Sequence, residues 1–173
     1  MKFFFKFLKL CSLVVSFFKG DILMKVYLVR HGEAGRADRD RDRKLTEHGK
    51  EQVTSLAKNM QENKLNLSKI YHSGLVRAEE TSSLLKKNLG TSVELEQRKG
   101  LLPDDLAESW LDELEYADDD EEIMLVGHNP FMTILSATLL RNGDVVSFSP
   151  AYAACFNRVG VNWELSWICR PSV

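Results

Sequence analysis

Two uninterrupted apolar runs, each followed by a histidine, constrain this chain most. Val26-Tyr27-Leu28-Val29 leads into Arg30-His31-Gly32, and Ile123-Met124-Leu125-Val126 leads into Gly127-His128-Asn129-Pro130. Apolar runs of this length bounded by glycine read as strands covered on both faces, as in a parallel sheet between helices. Residues just after such strands lie at the carboxyl edge of the sheet, where open α/β folds hold their ligands. One arginine and two histidines at one edge suit an anion with a nucleophile beside it.

The rest of the chain alternates in the same way. A strand is predicted over about Lys25 to Val29. A helix begins after Thr46, a good N-cap, with Val53, Leu56, Ala57 and Met60 at helical spacing. Ile70 to Ser73 is a second strand, and Val76 to Leu89 a helix closed by Gly90. Val93 to Leu95 is a short strand, and a loop from Leu102 leads into a helix carrying Trp110, Leu111 and Leu114. The strand Ile123 to Val126 precedes a helix with Asn129 as cap and Pro130 in first position, running through Leu140 to Gly143. Val145 to Phe148, Ala151 to Val159 and Trp163 to Ile168 read as antiparallel hairpin strands. The expected fold is α/β, a three-layer sandwich with a mostly parallel central sheet and helices on both faces. The alternating run Asp38 to Arg43 and the acidic run Asp118 to Glu122 read as solvated segments.

With 173 residues the chain holds one core, assigned to residues 24–173. Residues 1–23 stand apart: lysines among phenylalanines and leucines, with no uncharged stretch longer than Leu10 to Phe18. That is short of the ~20 residues of a membrane span. An upstream extension dispensable to the fold, an export signal and a membrane-surface anchor are the readings of this segment. The net charge of −2 argues against a nucleic-acid partner. Cys11, Cys155 and Cys169 are an odd count without metal-type spacing, which suits a cytoplasmic protein. The four histidines have no ligand spacing, so neither metal nor cofactor is expected. His48 and His72 are read as structural.

Arg77, just past the second strand, joins Arg30, His31 and His128 if these strands are neighbours. Guanidinium forks suit phosphate oxygens, and a helix starting at Asn129 adds backbone N–H groups. Here the chain resembles the histidine phosphatase superfamily, with its phosphoglycerate-mutase-like fold. The resemblance rests on Leu28-Val29-Arg30-His31-Gly32-Glu33-Ala34, Leu45-Thr46 with Gly49, Ser73 to Thr81, and Val126 to Pro130, in family order from about Met24 to Phe156. The small size, the Gly-His-Asn-Pro form and the segment Phe148 to Cys155 are similar to the SixA-type phosphohistidine phosphatases.

That resemblance implies that His31 is the nucleophile, becoming a transient phosphohistidine. Arg30, Arg77 and His128 hold the phosphoryl oxygens, with Gly32 and Asn129 beside them. Arg43 stands where the SixA-like group often has an arginine before Pro-Leu-Thr; Lys44 replaces the proline here. A bound phosphoryl group should bias His128 toward imidazolium. Relatives that act on phosphate esters use a carboxylic acid to protonate the leaving alkoxide. Asp104 and Asp105, ahead of Glu96, are the candidates for that role. A leaving imidazole, with a reference pKa near 6.5, departs without such help. The implied substrate is therefore a phosphohistidine on a protein. The alternatives are a small-molecule phosphomonoesterase and a non-catalytic phosphoprotein-binding module. The oligomeric state is left open.

Overall fold

The computed structural model describes residues 22–173. The expected extension, with its signal and anchor readings and Cys11, lies outside the described residues up to position 21. Its last two positions do not stand apart from the fold. Strand β1 spans Ile22–Arg30, and Ile22 already pairs with Val159.

The chain continues through α1 (Glu47–Met60), β2 (Lys69–His72), α2 (Val76–Leu89), β3 (Leu95–Gln97) and α3 (Glu108–Glu115). It then forms β4 (Glu122–Gly127), α4 (Phe131–Leu140), β5 (Ala153–Val159) and β6 (Asn162–Cys169). The sheet order is β3-β2-β4-β1-β5-β6. β1, β2, β3 and β4 run parallel, and the β5–β6 hairpin adds to β1 antiparallel.

Alternation along the central strands makes the two faces. Met24, Val26 and Leu28 of β1, with Ile123 and Leu125 of β4, pack on Trp110 and Leu114 of α3 and on Phe131, Met132 and Leu135 of α4. Tyr27 and Val29, with Met124 and Val126, pack on Val53, Leu56 and Met60 of α1 and on Ala78 and Leu85 of α2. Two helices therefore cover each face, the three-layer sandwich expected.

The helix starts and stops follow local chemistry. The Thr46 hydroxyl accepts the Gly49 N–H at the start of α1, and Gly90 ends α2 at φ 69°. Three elements differ from expectation. β3 begins at Leu95 because its pairing follows the end of β2, Ile70 opposite Leu95. Val145 to Phe148 is no strand: Val146 and Phe148 are buried individually, and the Val146 N–H bonds the Ser136 hydroxyl. α4 starts at Phe131, so Asn129 is not its cap, and it ends at Leu140 with Arg141 left-handed at φ 53°.

The acidic run before β4 is not wholly solvated. Glu122 is buried and accepts from Lys25 Nζ at 2.7 Å, the Tyr27 hydroxyl at 2.6 Å and the Asn66 N–H at 2.8 Å. Asp119 pairs with the buried Arg158, which also caps the carbonyls of Leu114, Glu115 and Ala117 beyond α3. Burial pushes the Glu122 carboxyl up, but the bonds from Lys25, Tyr27 and Asn66 outweigh it and hold it below its ordinary value. A carboxyl lowered by folding stabilises the fold above its unfolded pKa and loses that contribution as pH falls through the folded value. Glu122→Ala should therefore destabilise by about 2 kcal/mol at pH 7, because it strands the buried Tyr27 hydroxyl and the Asn66 N–H and removes the partner of the half-buried Lys25. In urea unfolding the gap between variant and parent should narrow below pH ~4.

Candidate active site

The parallel register sets the site. Arg30 lies opposite Gly127, so His31 and His128 follow as the next pair across adjacent strands. Their ring centroids are 4.8 Å apart, the spacing of neighbouring strands. β2 lies on the other side of β4, with His72 opposite Val126, which brings Ser73 beside His128. The first turn of α2 then presents Arg77.

His31 is held in one tautomer. Its Nδ1 lies 2.7 Å from the Gly32 carbonyl oxygen, which can only accept, so Nδ1 carries the proton and Nε2 keeps its lone pair. The Arg77 Nε–H points at that lone pair from 3.2 Å. The backbone behind is fixed from two sides. The Gly32 N–H bonds Thr81 Oγ1, and the Thr81 hydroxyl bonds the Arg77 carbonyl. A side chain on Gly32 would stand 2.7 Å from the Gly49 carbonyl oxygen and 2.9 Å from Val53 Cγ2. One on Gly49 would overlap the Glu33 carbonyl.

The cations converge on the same edge. Arg77 is buried, and its outer edge donates to the Asp40 carbonyl oxygen at 2.9 Å and to Asp40 Oδ2 at 3.1 Å. Arg43 donates to Asp40 Oδ1 at 3.2 Å and to the carbonyls of Gly35 and Ala34, which ties the loop after β1 together. Arg30 donates from Nη1 to the Phe148 carbonyl oxygen, while its Nε is buried without a partner. His128 meets Ser73 Oγ at 2.6 Å through Nε2, and its Nδ1 is likewise buried without a partner. Buried nitrogens are nearly always bonded. Among the described residues the buried side-chain exceptions are these two and Arg158 Nε.

Electrostatics follow from this crowding. Burial, then the charges of Arg77, Arg30 and Arg43, push His31 down to about 4 against the pull of the Gly32 carbonyl. Burial, then His31, Arg77 and Arg30, push His128 down to about 3, only partly opposed by Asp40. The imidazolium expected beside a phosphoryl group is thus not the form of the anion-free site. Burial also lowers Arg30.

The structure brings together His31, His128, Arg77 and Arg43; Arg30 and Asn129 meet at the Phe148 carbonyl, which the Asn129 amide also bonds at 2.9 Å. Asp104 and Asp105 lie on the loop before α3; Asp105 accepts the Leu102 N–H, and Asp104 is exposed. Glu96 pairs with Arg98 on the short outer strand β3. His72 ends β2, accepting the Gly74 N–H. Sequence reasoning missed Asp40, hidden in a charge run, and Ser73 and Thr81, whose hydroxyl roles need the fold. Among the described residues no cluster of three His, Cys, Asp or Glu side chains is placed to hold a metal, and no helix is long and apolar enough to cross a membrane.

Residues 26–101 match the histidine phosphatase superfamily (branch 1). The whole architecture superposes on a protein histidine phosphatase SixA complexed with tungstate, at TM-score 0.76 and 23% identity, covering 86% of this chain and 97% of that one. A SixA structure from Agrobacterium tumefaciens gives 0.72 and 22% over 90% of this chain and 100% of that chain. One from Nakamurella multipartitia gives 0.73 and 22% over 89% and 99%. No curated protein sequence matches.

In a proton NMR titration without added anions, the imidazole signals of His31 and His128 should stay at their neutral positions down to pH ~5. Movement of either between pH 6 and 7 would contradict the burial described here.

Proposed function

We infer that this chain, whose residues 26–101 match the histidine phosphatase superfamily, belongs to that superfamily and hydrolyses phosphohistidine on a protein through a phosphohistidine of its own at His31. The observation that carries the reading is the pair of buried, unbonded nitrogens, Arg30 Nε and His128 Nδ1, in a site that also holds Arg77 and a tautomer-fixed imidazole. Buried nitrogens left without partners beside a guanidinium call for further bonds, which a ligand with several oxygens would supply.

His31 Nε2 attacks phosphorus, forming a new N–P bond as the substrate's N–P bond breaks. The substrate ring, already protonated on its other nitrogen, keeps the electron pair of the broken bond and departs as neutral imidazole. Arg77, Arg30 and His128 bear on the equatorial oxygens, where charge spreads in phosphoryl transfer. Water then attacks the phosphohistidine; an O–P bond forms, the Nε2–P bond breaks and orthophosphate leaves. The Gly32 carbonyl keeps the His31 ring in place and favours the Nδ1–H form throughout.

The substrate class follows from the leaving group. Asp105 is engaged with the Leu102 backbone, and neither Asp104 nor Asp105 bonds Arg30, Arg77 or His128, whose partners are Phe148, Asp40, His31 and Ser73. An imidazole needs no acid to depart. The SixA structures named above are described as phosphohistidine or protein histidine phosphatases, and one is complexed with tungstate, a tetrahedral oxyanion. The free thiols of Cys155 and Cys169 support work in the reducing cytoplasm.

Brief mixing with a phosphotransfer domain labelled on its histidine should place acid-labile, base-stable label on the parent and none on His31→Ala. Turnover of that domain should exceed turnover of small phosphate esters, and Asp104→Ala with Asp105→Ala should leave it nearly unchanged. Arg77→Ala should lower kcat by roughly 10²-fold. A large preference for esters would overturn the substrate, and label persisting in His31→Ala would overturn the nucleophile.

A further inference from the structure

The run Asp38 to Arg43 reads as a solvated loop, yet its centre reaches the site. Asp40 belongs to a single 3-10 turn, Asp40–Asp42, at the tip of a strap between β1 and α1. The strap's base is closed by the bridge of Ala34 with Leu45 and by the bonds of Arg43 to the Gly35 and Ala34 carbonyls. Glu80 of α2 fixes its far end through the Leu45 N–H. From this base the Asp40 carboxylate spans two guanidinium groups, one oxygen on each: Oδ2 on Arg77 at 3.1 Å and Oδ1 on Arg43 at 3.2 Å. The Arg77 side chain is only 5% exposed, whereas that of Asp40 is 64% exposed. A buried cation is thus neutralised by an anion that comes from solvent and can return to it.

We propose that Asp40 is an internal competitor for the phosphoryl site, occupying Arg77 and Arg43 until a ligand's oxygens displace it. The inference rests on Arg77 being a phosphoryl ligand. Its carboxylate offers two oxygens and a single charge. A phosphoryl dianion offers three oxygens and twice that charge, so it displaces Asp40, whereas a singly charged carboxylate gains nothing by the exchange. Asp40 therefore sets the charge a ligand must bring and screens the site against ordinary carboxylates. It also holds Arg77 in the position where its Nε–H covers the His31 lone pair.

Calorimetric titration of the full chain with tungstate tests this. Asp40→Asn keeps the shape and removes the charge, and it should bind tungstate about five- to tenfold more tightly than the parent, as expected for loss of one competing, partly exposed ion pair. Asp42→Asn, on the same turn but paired with Arg39, should bind as the parent does. Arg77→Ala should abolish binding with or without Asp40. Equal or weaker binding by Asp40→Asn, while Arg77→Ala still abolishes it, would overturn the competitor and leave the phosphoryl site standing. Tungstate binding indifferent to Arg77→Ala would overturn the phosphoryl site and the competitor with it.

Discussion

The pairing of β1 with β4 governs this molecule. With Arg30 opposite Gly127, the residues immediately beyond both strands become neighbours, and those residues are His31 and His128. A slip of one position would exchange the two faces of a strand, moving Val26 and Leu28 into the layer of α1 and α2 and turning His31 away from Arg77. The register is guarded by the cores on both sides, since every residue of β4 is buried. Hydrophobic packing thereby sets a polar distance: the imidazoles sit one strand spacing apart because the strands behind them cannot move.

The same burial produces a site whose histidines are uncharged while its arginines are not. Desolvation and nearby guanidinium groups, three of them at His31 and two at His128, disfavour a proton on either ring, and Asp40 only partly opposes this at His128. The proton on His31 Nδ1 is retained because a carbonyl oxygen accepts it, a neutral contact that fixes orientation without adding charge. Positive charge is thus concentrated on groups that cannot attack, and the group that can attack keeps its lone pair.

Much of this was legible in the sequence because it is local. The apolar runs around Leu28 and Leu125, the Thr46 cap and the Gly90 stop each carry their signal within a few residues, and the structure has them where expected. Arg30, His31 and His128 were legible because strand ends deliver side chains to a predictable edge. What escaped is long-range. Glu122 looks like part of a solvated acidic turn until Lys25, 97 positions away, comes to rest beside it. Asp40 sits in an alternating charge run whose pattern says nothing of Arg77. Val146 and Phe148 look like a strand because both are apolar at alternate positions, yet no neighbouring strand pairs with them. Charge runs hide function well, since a partner distant in sequence leaves no periodic trace.

Gly32 and Gly49 let the backbone behind His31 touch the first turn of α1 with no side chain between them. The aim of the imidazole therefore depends on the gap between a helix and a strand, a rigid-body quantity, more than on the torsional freedom of its own side chain. Orientational entropy that the proposed in-line displacement at His31 would otherwise lose has already been given up when the chain folds. As the proposed nucleophile, His31 is thus fast to aim and slow to adapt, so variety in what it would accept must come from the strap in front of it and not from the wall behind.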